Sequence, residues 1–333
     1  MKKVKCGVIG LGRLGTRHAT NLAANIPEAE LVAVSDVSTA ALDKFVSVFP
    51  KVKAYTNYKE MLADEEIEAV CIASSTSMHA ICLRDAILAG KKIFCEKPLS
   101  LDLAEAKALQ DLQQEKQAFV QLGFMRRFDA GYMTAKKTIE SGKLGAPISI
   151  LAIGRDPGCP PIEFAKHSGG LVFDMAIHDI DLCRWFFGCE AKEVYARGGV
   201  LLYPQLGEIG DIDHASISIL FENDKIATLE VSRNASYGYD IRTEIVCEQG
   251  ATFVGQLKQD PTVVLSPHAM SVNTLPGFLE RFRDAYLNEM QIFVTDVLAG
   301  KKEARVGVAD GVASMAIAKA INESLKKNQP VVL

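Results

Sequence analysis

Asp174 and His178 stand four residues apart in SGGLVFDMAIHDIDLCRW, so on a helix their side chains share one face, with Asp181 three residues further along it. An imidazole, whose unperturbed pKa is about 6.5, next to a carboxylate can exchange a proton near neutral pH. The same polar stripe, beside Ile177 and Trp185, would also arise from a solvated helix face or a satisfied buried Asp–His pair. Lys97 is a third polar candidate. A lone lysine is ordinarily a surface residue, but this one closes the apolar run KKIFCEK and precedes Pro98, which removes a backbone donor and fixes the turn. A different chemistry is written in Gly10-Leu11-Gly12-Arg13-Leu14-Gly15. Glycines between a strand and a helix let backbone N–H groups approach a pyrophosphate at the helix N-terminus, where a Cβ would block it. Alone, that pattern also fits a tight turn with no ligand.

The elements that must position these groups read as alternation. From Lys3 to about Val120, short β-rich runs (VKCGVIG, AELVAVSD, an indistinct VKAYT, IEAVCIAS, KKIFCEK, AFVQLGF) alternate with helical stretches opening near Thr16, Ser38, Tyr58, Ser77 and Ser100. Such an order predicts a doubly wound parallel sheet, with Gly10, Asp36, Ser74 and Glu96 at the carboxyl edge where such sheets bind ligands. Asp36 ends the second strand about twenty residues beyond the glycine loop. There a carboxylate accepts hydrogen bonds from the adenosine ribose diol and repels a 2'-phosphate, which turns the loop into a signature for NAD rather than NADP. Arg13 is the contrary note: its guanidinium could lie near a 2'-phosphate, or pack beside the pyrophosphate, or face solvent. The cofactor-binding candidates are thus Gly10, Gly12, Arg13, Leu14, Gly15, Asp36, Ser74, His79, Glu96 and Lys97. Taken singly His79, like His18, His167 and His214, reads as a capping or core histidine, and His268 carries no signal.

After Phe124 the texture changes. A helix over about Asp129–Gly142, the strand PISILAIGR and a helical stretch over about Gly170–Phe187 precede six strand candidates between Ala191 and Leu265, which read as an antiparallel sheet. Two amphipathic helices close the chain. The expectation is an α/β protein: a Rossmann domain over 1–123, then an α+β domain over 124–333 with a large, mainly antiparallel open sheet. A length of 333 residues supports two cores. With 48% hydrophobic and 23% charged residues the composition is that of an ordinary globular protein. A net charge of -4 without long runs of one sign argues against nucleic acid or an acidic membrane surface as partner. No apolar run suits a signal peptide or a membrane span. The eight cysteines lack paired spacing and read as structural thiols in a reduced, cytoplasmic setting; Cys183 and Cys189 have no second pair at zinc spacing, so no metal is expected.

At Phe94-Cys95-Glu96-Lys97-Pro98 the chain resembles the glucose-fructose oxidoreductase, inositol dehydrogenase and rhizopine catabolism family. The resemblance covers essentially the whole length, including HAICLRDAILAGKKIFCEKPLS, Gly123-Phe124-Met125-Arg126-Arg127-Phe128-Asp129 and SGGLVFDMAIHDIDLCRW. The last two segments look most like inositol 2-dehydrogenases. The resemblance implies Lys97, Asp174 and His178 as a catalytic trio, Glu96 at the nicotinamide ribose, a cis Lys97-Pro98 bond, and Arg127, Asp156 and Tyr237 near the substrate. It also implies a homotetramer assembled through the C-terminal sheet, one face of which the domain's few helices leave uncovered.

Oxidising a secondary alcohol needs a hydride acceptor, a base and a group that stabilises the developing alkoxide. NAD, His178 and Lys97 fill these roles, with Asp174 orienting the imidazole or holding a neighbouring hydroxyl. The expected substrate is myo- or scyllo-inositol. Another sugar or polyol, an NAD-using glycosidase and a non-catalytic NAD-binding regulator are the alternatives, since a fold does not choose its substrate. Asp36→Ser is expected to narrow the preference for NAD over NADP by about 1 to 3 kcal/mol, the scale of a hydrogen bond to a charged group, while weakening NAD itself. Paired binding titrations read this out, and a wild type that binds NADP as tightly as NAD would overturn the assignment.

Overall fold

A computed structural model describes residues 2–333. They form two compact units: 2–128 together with Asp284–Val312, and Asp129–Arg283 together with Ala313–Leu333.

In the first unit, β1 (Val4–Ile9), β2 (Ala29–Ser35), β3 (Lys53–Tyr55), β4 (Ala69–Ile72), β5 (Lys92–Cys95) and β6 (Val120–Leu122) form a sheet in the order β3-β2-β1-β4-β5-β6. Every pair in it is parallel. The crossovers carry α1 (Arg13–Thr20), α2 (Thr39–Val48), α3 (Tyr58–Ala63), α4 (Thr76–Leu88) and α5 (Leu103–Glu115). The central strand β4 is apolar throughout, as a strand covered on both faces must be, and all four of its residues are buried. Helix starts follow cap chemistry. Asp102 Oδ1 accepts from Ala104 N (2.6 Å) and Glu105 N (3.0 Å), which starts α5, and Ser38 Oγ accepts from Ala41 N to start α2. The order reverses between β1 and β4, so the turns after these strands, at Gly10 and Ser74, flank the switch point of the sheet. Met290, Phe293 and Val294 join Val8, Leu22, Phe94 and Phe119 in its core, although they come from a helix near the end of the chain.

The second unit opens with α6 (Ala130–Glu140), capped by Asp129, whose Oδ1 accepts from Gly131 N and Tyr132 N. There follow β7 (Pro147–Arg155), α7 (Ile162–Ser168), a π-helical turn over Val172–Ala176, α8 (Ile177–Phe187), β8 (Ala191–Gly199), α9 (Pro204–Glu208), β9 (His214–Phe221), β10 (Ile226–Ser232), β11 (Asp240–Cys247) and β12 (Gly250–Gln256). The chain then runs through β13 (Lys258–Ser266), β14 (Ala269–Thr274), α10 (Phe278–Arg281), α11 (Arg283–Leu298), which from Asp284 on belongs to the first unit, α12 (Val308–Lys327), of which the part from Ala313 on belongs to the second, and β15 (Val331–Val332). Seven strands make an open sheet in the order β12-β11-β7-β10-β9-β8-β15.

Two details depart from the antiparallel reading. β10 pairs with β7 in parallel, because the β9–β10 hairpin returns the chain beside a strand laid down much earlier. The segment TVVLS pairs only with β14, as a separate two-stranded ribbon. One face of the large sheet is buried. Across the other runs a row of paired residues, Tyr195, Ser218, Thr228, Leu151, Glu244 and Phe253, with Leu151 and Phe253 among the exposed large hydrophobics.

Among the described residues no helix is long and apolar enough to cross a membrane. All eight cysteines are free thiols, and burial pushes those of Cys71 and Cys95 well up, away from the reactive thiolate.

Candidate functional site

The cofactor candidates lie in the first unit. Gly10 has φ of 94°, and a Cβ there would sit 2.6 Å from the carbonyl oxygen of Ala73. A Cβ on Gly15 would sit 2.0 Å from the carbonyl oxygen of Gly10, so α1 can press against its own turn only through glycine. Gly12 is different. Its φ is an ordinary -63° and a Cβ would meet nothing within 4 Å. The protein's own packing does not require glycine there, whereas a pyrophosphate laid against the first turn of α1 would. Asp36, at the end of β2, spans the loop: Oδ2 accepts from Leu11 N at 2.6 Å and Oδ1 from Ser38 N at 2.8 Å. It therefore fixes the glycine turn. Arg13 is exposed at the first position of α1, Leu14 is half-buried beside it, and Ser74 lies at the carboxyl end of β4. These residues fit a dinucleotide.

Glu96 and Lys97 leave the end of β5. The Lys97-Pro98 bond is cis. Glu96 is 5% exposed; its Oε1 lies 2.8 Å from His18 Nε2 and its Oε2 accepts from Lys97 N at 3.3 Å. A Cβ on Gly123 would collide with that carboxylate at 2.7 Å, so the glycine of Gly123-Phe124 makes room for Glu96. His79 is buried with Nδ1 2.8 Å from Pro98 O and Nε2 3.1 Å from Ser74 O. It ties the two turns together. Its burial lowers its pKa against the pull of those carbonyls. Arg127 Nη2 donates to Asp310 Oδ1 at 3.0 Å. Behind Glu96 a buried group escaped sequence reasoning: His18, Glu96 and Glu289 bring ligand-type atoms within 4.8 Å of one another. Burial, then the charge of Glu96, pushes the Glu289 carboxyl well above its ordinary value.

The substrate candidates of the second unit gather at one edge of the large sheet. Asp174 lies in the π-helical turn and His178 begins the following helix at 8% exposure, with Asp179 and Asp181 each 1% exposed. With His178 and Asp181 buried and Asp174 half-buried, the stripe is not a solvated face. Gly154 on β7 allows the close approach of α8, since a Cβ there would lie 3.0 Å from Asp179 Oδ2. Asp156 follows the end of β7. Its neighbour Arg155 is paired with Glu230 and also donates to the hydroxyl of Tyr237 at 2.8 Å, which in turn donates to Asp240 Oδ2. Sequence reasoning missed Arg233. This side chain is 0% exposed, and its Nη1 donates to Asp174 Oδ2 at 3.1 Å. Only its place after a strand end hinted at it. Asp213 was missed too; burial alone would raise its carboxyl, but the backbone N–H groups of Leu201, Tyr203 and Leu202 outweigh that and lower it.

Residues 4–124 match the model of an oxidoreductase family with an NAD-binding Rossmann fold, and residues 132–252 match the GFO/IDH/MocA C-terminal domain. The chain is 38% identical over 331 residues to a scyllo-inositol 2-dehydrogenase (NAD(+)) of Bacillus subtilis, covering 99% of this chain and 96% of that one. It is 36% identical over 332 residues to a myo-inositol 2-dehydrogenase of Thermotoga maritima, covering 99% and 98%. The crystal structure of scyllo-inositol dehydrogenase from Lactobacillus casei with bound NAD(H) and scyllo-inositol superposes with a TM-score of 0.94 at 35% identity, covering 99% of each chain.

Glu289 yields a prediction with a definite sign. A carboxyl whose pKa rises on folding supports stability below its unfolded value near 4.5, and the support is lost as pH climbs toward the folded value. Glu289→Gln removes the titration. Thermal melts should therefore show the variant more stable than wild type at pH 7.5, with the gap shrinking toward pH 5. A variant less stable at pH 7.5 would show that the charged form is the native one.

Proposed function

The chain belongs to the GFO/IDH/MocA oxidoreductase family, and we propose that it oxidises a ring secondary alcohol of an inositol, myo- or scyllo-, to the inosose. It is an NAD-dependent dehydrogenase acting on CH–OH. Full-length likeness to a dehydrogenase that uses NAD(+) on scyllo-inositol carries the substrate reading. A half-buried Asp174 and a buried His178, four residues apart on one helical segment, support it.

NAD, held by the Gly10–Gly15 loop, Asp36 and the Ser74 and Glu96 turns, supplies the hydride acceptor. The chain's own residues do the rest. His178 takes the hydroxyl proton, and its partly dehydrated setting keeps water from competing for it. Asp174 orients the imidazole and holds a neighbouring hydroxyl. Lys97 donates to the reacting oxygen and stabilises alkoxide character as the proton leaves. Arg127, Asp156 and Tyr237 are the further substrate contacts in this reading, and no metal takes part. The protein works in the cytoplasm, in keeping with its free thiols.

Purified protein with NAD should form NADH with myo- or scyllo-inositol and do so more slowly with common hexoses. His178→Ala and Lys97→Ala should each lose about a hundredfold or more in turnover while NAD affinity survives. A His178→Ala enzyme with near wild-type turnover would move the base to Lys97 or Asp174, and absence of free NADH with every inositol would remove the substrate assignment.

The exposed row on the outer sheet face, with Leu151 44% and Phe253 65% exposed, supports a homotetramer assembled through that face. Sedimentation velocity should show about four subunits at micromolar concentration. A species near the 36.2 kDa of one chain would refute the assembly.

A further inference from the structure

We propose that Arg233 is a positioning residue for the oxidation, its buried guanidinium holding the carboxylate of Asp174 in place from beneath. The inference rests on the reading that Asp174 serves the reaction.

Arg233 follows the last residue of β10 and is the largest fully buried side chain in the chain. Its Nη1 lies 3.1 Å from Asp174 Oδ2 and 3.9 Å from Asp156 Oδ2, and its Nη2 lies 3.7 Å from Asp211 Oδ2. Side-chain exposure rises outward from the cation: 0% for Arg233, 8% for Asp211, 17% for Asp174 and 29% for Asp156. The guanidinium is therefore the floor of the cluster, and the two carboxylates assigned to substrate are its solvent-facing rim.

The floor is fixed on both sides. Asp211 Oδ1 accepts from Leu171 N and from Ile212 N, each at 2.8 Å, so this carboxylate is pinned to the start of the helical segment that carries Asp174. Gly170, with φ of 78°, admits that approach, since a Cβ would lie 2.7 Å from Asp211 Oδ1. The backbone of Arg233 is held by Asp213 O at 2.8 Å, and Asp156 is tied to the same strand end through Ser232 O and Ala235 N. Dehydrating a guanidinium is costly, and apolar residues of similar volume generally serve a fold as well or better. A planar fork with Nη1 on Asp174 and Nη2 facing Asp211 does what they cannot: it fixes the Asp174 carboxylate relative to the anchored Asp211.

Steady-state kinetics of a double-mutant cycle test this, using whichever alcohol the wild type oxidises. Asp174→Asn is measured first. Full turnover in that variant would sink the reading of Asp174, and this inference with it, before Arg233 is touched. With Asp174→Asn impaired, Arg233→Lys should keep NAD affinity within about twofold and lose about tenfold or more in kcat, whereas in the Asp174→Asn background it should change kcat by less than about twofold. Equal losses in both backgrounds, or near wild-type kcat in Arg233→Lys, would overturn the inference and leave the catalytic reading standing. Should Arg233→Lys fail to fold, seen as lost NAD binding, Asp211→Asn takes its place in the cycle. A loss of about threefold is then expected in the native background and none beside Asp174→Asn. Equal losses again overturn it.

Discussion

Closeness at one turn governs the first unit. A Cβ on Gly15 would lie 2.0 Å from the carbonyl of Gly10, and a Cβ on Gly10 would strike the backbone at Ala73 and Ser74. The start of α1 thus rests directly on the ends of β1 and β4, the two strands between which the sheet reverses order. Everything that could hold a dinucleotide follows from that contact. Leu11 N is turned toward Asp36, Gly12 is left open at the helix N-terminus, and the Ser74 turn is brought within reach of His79, which in turn holds Pro98. The cofactor elements are separate in sequence and connected in space by hydrogen bonds from the Asp36 and His79 side chains to backbone groups, so they cannot shift one at a time.

Buried charge organises both units, with different solutions. Behind Glu96 an imidazole sits 2.8 Å from the carboxylate, while burial and that same charge favour the neutral form of Glu289. In the second unit the excess of acids is answered by one dehydrated guanidinium and by backbone amides, three of which converge on Asp213. A protonated carboxyl removes charge by holding a proton; an arginine balances it with a fixed positive charge. Only the second arrangement has carboxylates facing outward, where a polyol could use them.

The parallel sheet, the glycine loop, the placement of Asp36 and most helix starts were legible because each depends on local chemistry. Alternation of short apolar runs with helical periods reads out the crossovers, and Ser38 and Asp102 sit at or beside the expected starts of α2 and α5. What escaped was nonlocal. Nothing near Glu289 marks it as the partner of residues far up the chain, and the return of Asp284–Val312 to the first unit is invisible in periodicity. The amphipathic pattern of α11 states that one face is buried, not which core receives it. Arg233 was hidden because an arginine at a strand end is ordinarily solvated, and only the tertiary position of Asp174, Asp156 and Asp211 shows otherwise.

The parallel pairing of β10 with β7 is the step that the proposed substrate edge turns on. Register places Ser232 opposite Arg155, so the residues that follow, Arg233 and Asp156, leave the sheet side by side at the same end. In an all-antiparallel meander the end of β10 would instead lie beside the beginning of β7, near Pro147. Arg233 would then emerge a strand's length of nine residues away from Asp156. β11 enters antiparallel on the other side of β7 with Asp240 opposite Arg155, which adds Tyr237 and Asp240 to the same edge. One strand laid in the unexpected direction thus gathers a cation, its acids and an exposed tyrosine at one end of the sheet. A substitution that disturbs this edge need not touch Arg233, Asp156 or Tyr237 themselves, because the register of β10 against β7 decides where all of them stand.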